Sequence, residues 1–291
     1  MLLLTKSLLA TGYSQVNYWQ QQVNYIIDVS LNDKEHTLDG FERIEYINNS
    51  PDTLKFIWFH LWPNAYKNDK TAFTDQVLEN GSTKFYFSDK EDKGYINRLD
   101  FKVNNITAAT EDHPQHIDIV KIILPAPLPP AQKLIITTPF HVKLPYNFSR
   151  GGHDGQSYQA TQWYPKPAVY DKDGWHPMPY LDQGEFYSEF GSFDVSITVP
   201  ENYVVAATGE IQNTAEKEWL KTRTSFTWEP VKGKEKTTGG QLKTTYQLFP
   251  TSANQKKTLQ YKQINIHDFA WFADKRFIVN YDTCRLASGK V

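Results

Sequence analysis

The sequence predicts an all-β protein, a sandwich or one large curved sheet, on three observations. Apolar residues recur every second position through much of the chain. Clusters of Asn, Asp, Gly, Ser and Pro punctuate those runs. No segment sustains a 3.6-residue apolar period, and aromatics, which strands favour, make up 14% of the chain.

The elements follow in order. Val23, Tyr25, Ile27, Val29 and Leu31 define a half-buried strand, and "NDKE" turns it. Leu38, Gly40, Glu42, Ile44 and Tyr46 share one face of the next strand, with Phe41, Arg43 and Glu45 on the other. "NNSPD" at 48–52 is a second turn. "LKFIWFHLW" at 54–62 is apolar on both sides, as expected of a strand covered on both faces, and Pro63 ends it. Residues 64–95 lose the period and leave room for one helical turn near Thr74–Leu78. Strands resume at Ile96–Val103, His116–Ile123 and Lys133–Thr138. The Pro-rich "LPAPLPPAQ" between the last two is expected as a stiff edge connection. "FGSFDVSITVP" and "YVVAATGEIQN" add strands. "RTSFTWEP" and "LKTTYQLF" flank hairpin-loop chemistry in "VKGKEKTTGG", and "INIHDFAWFADKRFIVNYD" closes the pattern.

With 31 basic and 33 acidic residues the charge is nearly balanced, which gives no electrostatic case for a nucleic-acid partner. The single cysteine, Cys284, excludes a disulfide framework within the chain. "MLLLTKSLLATGYSQ" is a candidate signal peptide without a basic n-region, so residues 1–15 are set apart from a single domain at 16–291. Export to the periplasm or medium is the expectation if that segment is cleaved, and a cytoplasmic location otherwise. No run approaches the ~18 apolar residues of a membrane span.

Catalytic constellations are sparse. There is no His-Glu-x-x-His, no Gly-x-Ser-x-Gly and no phosphate loop. His60, in an apolar strand, reads as a hydrogen-bonded core histidine rather than a ligand. His153 sits in the Gly-rich "RGGHDGQ", either a loop edging a site or a plain turn. The long non-periodic region 148–187 is the natural place for function. There Trp163, Tyr164, Trp175 and Tyr180 are expected to line a cleft or fill an interface. A free-standing module that stacks peptides or carbohydrates on such aromatics is the alternative reading.

Several blocks carry a family resemblance: "LDGFERIEYINNSPDTLKFIWFHLWPNAY", "YQATQWYPKPAVYD", "FGSFDVSITVPENYVVAATGE" and "HDFAWFADKRF". Together they resemble the aminopeptidase N-like zinc metallopeptidases, the gluzincin aminopeptidases, in a bacterial branch. The resemblance runs from about residue 18 to the C-terminus. It implies a large saddle-like antiparallel domain, the N-terminal non-catalytic part of such enzymes. The zinc motif and the Gly-x-Met-Glu motif of the catalytic part do not occur, and "LASGKV" falls about where that part would begin. The implied partners are a catalytic domain, in cis if the gene continues, and a peptide substrate. No cofactor is expected in this chain, which is expected to be inactive alone; zinc belongs to the absent domain. The resemblance also implies that Gln159 in "YQAT", or Gln162 three residues on, helps hold the substrate's free amino group. The Arg that often follows in the family is missing.

Overall fold

The computed structural model describes residues 18–236 and 242–289. The candidate signal segment, 1–15, lies outside them.

Period-two alternation becomes sheet structure where it was strongest. Strand β1 (Gln22–Asn32) pairs along its whole length with β2 (Thr37–Ile47) across the "NDKE" turn. Strand β3 (Leu54–His60) stops one residue short of a 3-10 turn at Trp62–Tyr66, which Pro63 opens. Helix α1 (Ala72–Glu79) replaces the single turn expected there, and the Thr71 hydroxyl caps it by accepting from the Thr74 NH. Strand β4 (Ile119–Leu128) runs through the first half of the Pro-rich segment, so Pro125 and Pro127 lie within a strand. Strand β5 (Lys133–Lys143) pairs with β2. Short strands β6 (Gly152–Asp154) and β7 (Ser157–Ala160) precede β8 (Gly191–Pro200), β9 (Val204–Ala207), β10 (Lys256–Ile266) and β11 (Trp271–Asp274).

Helix α2 (Thr214–Thr222) has no counterpart in the sequence reading. Its residues are mostly polar and it buries only Glu216, whose carboxylate pairs with Lys257 at 2.6 Å, so no apolar stripe announces it. The late hairpin also shifts: its first strand is Val231–Lys236, inside the stretch read as loop, and "RTS" forms a 3-10 turn.

Among the described residues the largest sheet has nine strands. It runs from Glu210–Ile211 through β10, β8, β1, β2 and β5 to Lys102–Val103 and Ile106–Thr107, with Tyr95–Asn97 also on β5. All these pairings are antiparallel except β1 with β8. That pair is parallel because β8 arrives after a long excursion and enters from the same end as β1.

Two four-stranded sheets cover the inner face. One has the order β6–β7–β11–β9. The other joins Lys166–Pro167 to β3, β4 and Thr110–Asp112. Val23, Ile27, Ile44, Ile136, Val195 and Ile197 of the large sheet bury against Ile57, Phe59 and Ile122 of one small sheet and Tyr158, Ala160 and Trp271 of the other. The sheets stay open, so the fold is an all-β layered structure with few helices. A smaller apolar cluster, with Trp62, Tyr66, Phe73, Phe85 and Tyr180, lies between α1 and the 148–187 region.

The β2 alternation carries one polar residue into this core. Glu42 is fully buried and neither carboxyl oxygen has a partner among the described residues. Burial therefore holds its pKa well above the ordinary value. A raised folded pKa means full stability below the unfolded value of roughly 4.3 and a progressive loss as pH rises above it. Thermal unfolding of Glu42→Gln is expected to fall less between pH 5 and pH 8 than that of the native chain. Identical pH profiles would show that Glu42 is already solvated or paired.

Candidate functional site

Within the non-periodic region 148–187, residues 157–168 form a strap laid over the sheet junction. In β7, Tyr158 and Ala160 point into the core, and the intervening Gln159 stays half-buried, opposite Gly152 on one side and Phe272 on the other. The chain then bends at Gln162, which sits in the left-handed region at φ 54°. The bend drives Trp163 and Tyr164 into the core, each 1% exposed.

Asp268 holds the strap. Its Oδ2 accepts from the Gln162 amide at 2.7 Å, and its Oδ1 accepts from the Tyr164 hydroxyl at 2.8 Å. The buried Lys166 ammonium lies 2.7 Å from the same Oδ1 and faces the Trp62 and Tyr164 rings at 5.4 and 5.3 Å. The Trp163 indole NH donates to the Phe269 carbonyl at 3.0 Å. Burial pushes the Asp268 carboxyl up, but Lys166, the Tyr164 hydroxyl and the Phe269 NH together hold it below its ordinary value. Lys166 shifts down, because burial outweighs Asp268.

With its NH2 fixed on Asp268, Gln162 is left with a carbonyl oxygen that is buried and has no hydrogen-bond partner among the described residues. The Thr161 hydroxyl beside it is in the same condition. Both residues line a narrow cleft of about 20 Å³, together with Gln159, Gly152, Trp163 and Tyr180. That volume holds about one water. Gly152 closes one side at φ 137°, where a Cβ would stand 2.5 Å from the Pro145 carbonyl oxygen, so only glycine fits.

The structure brings Gln159, Gln162, Trp163 and Tyr180 to one cleft and leaves His153, Tyr164 and Trp175 off its lining. His153 lies on β6 next to Gly152, but its ring stacks on His36 with centroids 3.8 Å apart. Burial and the neighbouring His36 lower its pKa to about 4, so at neutral pH it is an uncharged ring. Tyr164 is committed to Asp268. Tyr180 anchors the 177–187 segment in the second cluster, with its NH on the Asp118 carboxylate at 2.7 Å. Trp175 is half-buried on the hairpin Val169–Asp171/Gly174–His176, against Phe56 and Tyr170. Rather than filling an interface with a partner, Trp163 and Tyr164 join Tyr158 in this chain's own core. Trp163, fully enclosed, therefore offers no platform for stacking a sugar.

His60 is the core histidine expected: buried, stacked on Trp62, its Nε2 accepting from the Met178 NH at 3.1 Å, its pKa lowered to about 3 by burial and Lys166. Sequence reasoning missed Asp268 and Lys166. One is an Asp in "IHDFAW", the other a Lys between two prolines, and neither context marks a buried pair. Among the described residues no three His, Cys, Asp or Glu side chains converge as metal ligands, so the donor set does not fit a zinc ion. No described helix is long and apolar enough to cross a membrane.

The chain is similar in fold to M1 zinc metallopeptidases. The Deinococcus radiodurans M1 zinc metallopeptidase matches over 88% of this chain and 42% of its own, at 13% identity and a TM-score of 0.45. A point mutant of that enzyme gives 13% identity and a TM-score of 0.46 over the same shares. A two-domain M1 zinc metallopeptidase mutant bound to L-arginine gives 12% identity and a TM-score of 0.45. This chain thus spans less than half the length of those it matches. No family model and no curated protein matches it.

Proposed function

We propose that this chain is the non-catalytic β domain of an aminopeptidase N-like zinc metallopeptidase, and that it shapes the substrate cleft of a catalytic domain outside this sequence. The ordered sequence blocks support the family. The observation that carries the site is the Gln162 amide: its nitrogen is locked on Asp268 and its carbonyl oxygen is left without a donor. A buried acceptor without a partner costs about 1–3 kcal/mol. The ammonium of a peptide N-terminus is a donor that would recover that cost with a charge-assisted bond. Gln159, on the same cleft, is the second acceptor.

Two experiments test this. The first is sequencing the DNA beyond codon 291 in the source genome. The reading expects Gly-x-Met-Glu and His-Glu-x-x-His in continuation, and unrelated sequence after a stop would remove it. The second uses the polypeptide so encoded. Gln162→Ala is expected to raise KM for aminoacyl substrates about tenfold with little change in kcat, the signature of lost ground-state binding. Unchanged KM in both Gln162→Ala and Gln159→Ala would sink the assignment of these residues. The 291-residue chain by itself is expected to retain no zinc on dialysis and to hydrolyse no aminoacyl substrate.

A further inference from the structure

A second cavity, of about 380 Å³, shares no lining residue with the glutamine cleft. Its walls are aromatic. Trp19 faces Tyr170 with ring centroids 5.8 Å apart, Tyr170 leans on Trp175 at 4.9 Å, and Tyr18 and Tyr187 complete the rim. Glu189 is its buried acidic residue. It is 4% exposed, its Oε1 accepts from the Tyr170 NH at 3.2 Å, and its Oε2 is buried with no partner among the described residues. Asp171, also on the lining, is held by the His176 ring at 2.7 Å and the Tyr187 hydroxyl at 3.1 Å. Lys172, the cation of the lining, turns to Asp173 at 2.8 Å.

We infer that this cavity is a binding site for an alkylammonium head group, with Glu189 as its counter-ion and Trp19, Tyr170 and Tyr187 as its aromatic cage. Aromatic faces attract cations through the ring quadrupole, and a desolvated carboxylate supplies the opposite charge. A hard metal ion would need six or more oxygens, and aromatic walls do not supply them. Burial raises the Glu189 pKa to about 7, with the Tyr170 NH and Gln20 pulling it down and Asp171 pushing it up. Tyr25 and Tyr46 of the large sheet are further titratable groups that feel its charge, and Lys172 is on the lining. A cation draws the proton off, so affinity strengthens as pH rises from 6 to 8.

The test is a titration of the chain at pH 8 with choline chloride, followed by tryptophan fluorescence. The control is 3,3-dimethylbutanol, the uncharged isostere of choline. Saturable choline binding is expected, with the isostere about tenfold weaker. Glu189→Gln is expected to weaken choline by a similar factor. Tyr187→Ala, at an exposed position outside the core, is expected to weaken it without moving the unfolding temperature. It keeps the test decisive if the Glu189 variant misfolds. Running Nα-acetyl-trimethyllysine amide in parallel separates the sources: tighter binding than choline assigns a modified side chain, weaker binding a free small amine. Equal affinity for choline and its isostere overturns the inference, as does an absence of saturation below about 100 mM, weak even for a head group of this size.

Discussion

Replacing Asp268 by Ala is expected to destabilise the fold by about 3–5 kcal/mol, because it leaves the buried Lys166 charge without its partner. The loss spreads beyond one ion pair. Asp268 also accepts from Gln162, Tyr164 and the Phe269 NH, so its removal frees four donors at once. The strap from 157 to 168 is pinned there, and with it the side chains of Trp163 and Tyr164, each contributing about 2–3 kcal/mol by burial. Urea denaturation measures the effect, and a change under about 1 kcal/mol would mean that packing alone holds the strap. Lys166→Met alone is expected to cost less, since a partly exposed carboxylate can recruit water. The double variant Asp268→Leu/Lys166→Met should recover part of the loss, because an apolar pair carries no desolvation cost. The pH dependence has a definite sign. The Asp268 carboxyl is held below its ordinary value, so its contribution is present above about pH 3.9 and is lost as pH falls through the folded pKa. In the proposed enzyme the same substitution should also raise KM, through the released Gln162 amide.

Gly191→Ala is the second large effect expected. At the start of β8 the backbone passes so close to β1 that a Cβ at position 191 would stand 1.7 Å from the Val23 carbonyl oxygen. No rotamer relieves that contact, since both atoms belong to rigid groups. The approach serves the parallel pairing. The Val23 NH donates to the Phe190 carbonyl at 3.1 Å, and the Ser192 NH and hydroxyl both donate to Asn24 Oδ1, at 3.1 and 3.0 Å. A methyl group there must push β8 off β1 and break these bonds, at a cost of at least about 3 kcal/mol. Hydrogen exchange would show the damage as lost protection at Tyr25 through Ser30, the residues in parallel register with β8. Native protection in the variant would show that the pair absorbs the methyl group without separating.

The sequence by itself determined the strands whose two faces differ. Those at 22–32, 37–47 and 191–200 were legible because alternate side chains meet core and water, and that alternation is written residue by residue. It also placed Glu42 on the inward row, and put Gln159 and Gln162 forward through the family blocks. Helix α2 was not legible, because its one buried side chain is an acid paired with a lysine 41 residues away. Nor was the destination of the strap: the same Trp and Tyr pattern serves an exposed interface or a core equally well. Only the tertiary structure decided between them, by setting Asp268 and Lys166 together beneath residues 162–164. The separation of the two glutamines from His153, and the Glu189 cavity, have the same origin. Contacts between residues distant in sequence depend on how sheets stack, and no local period encodes that.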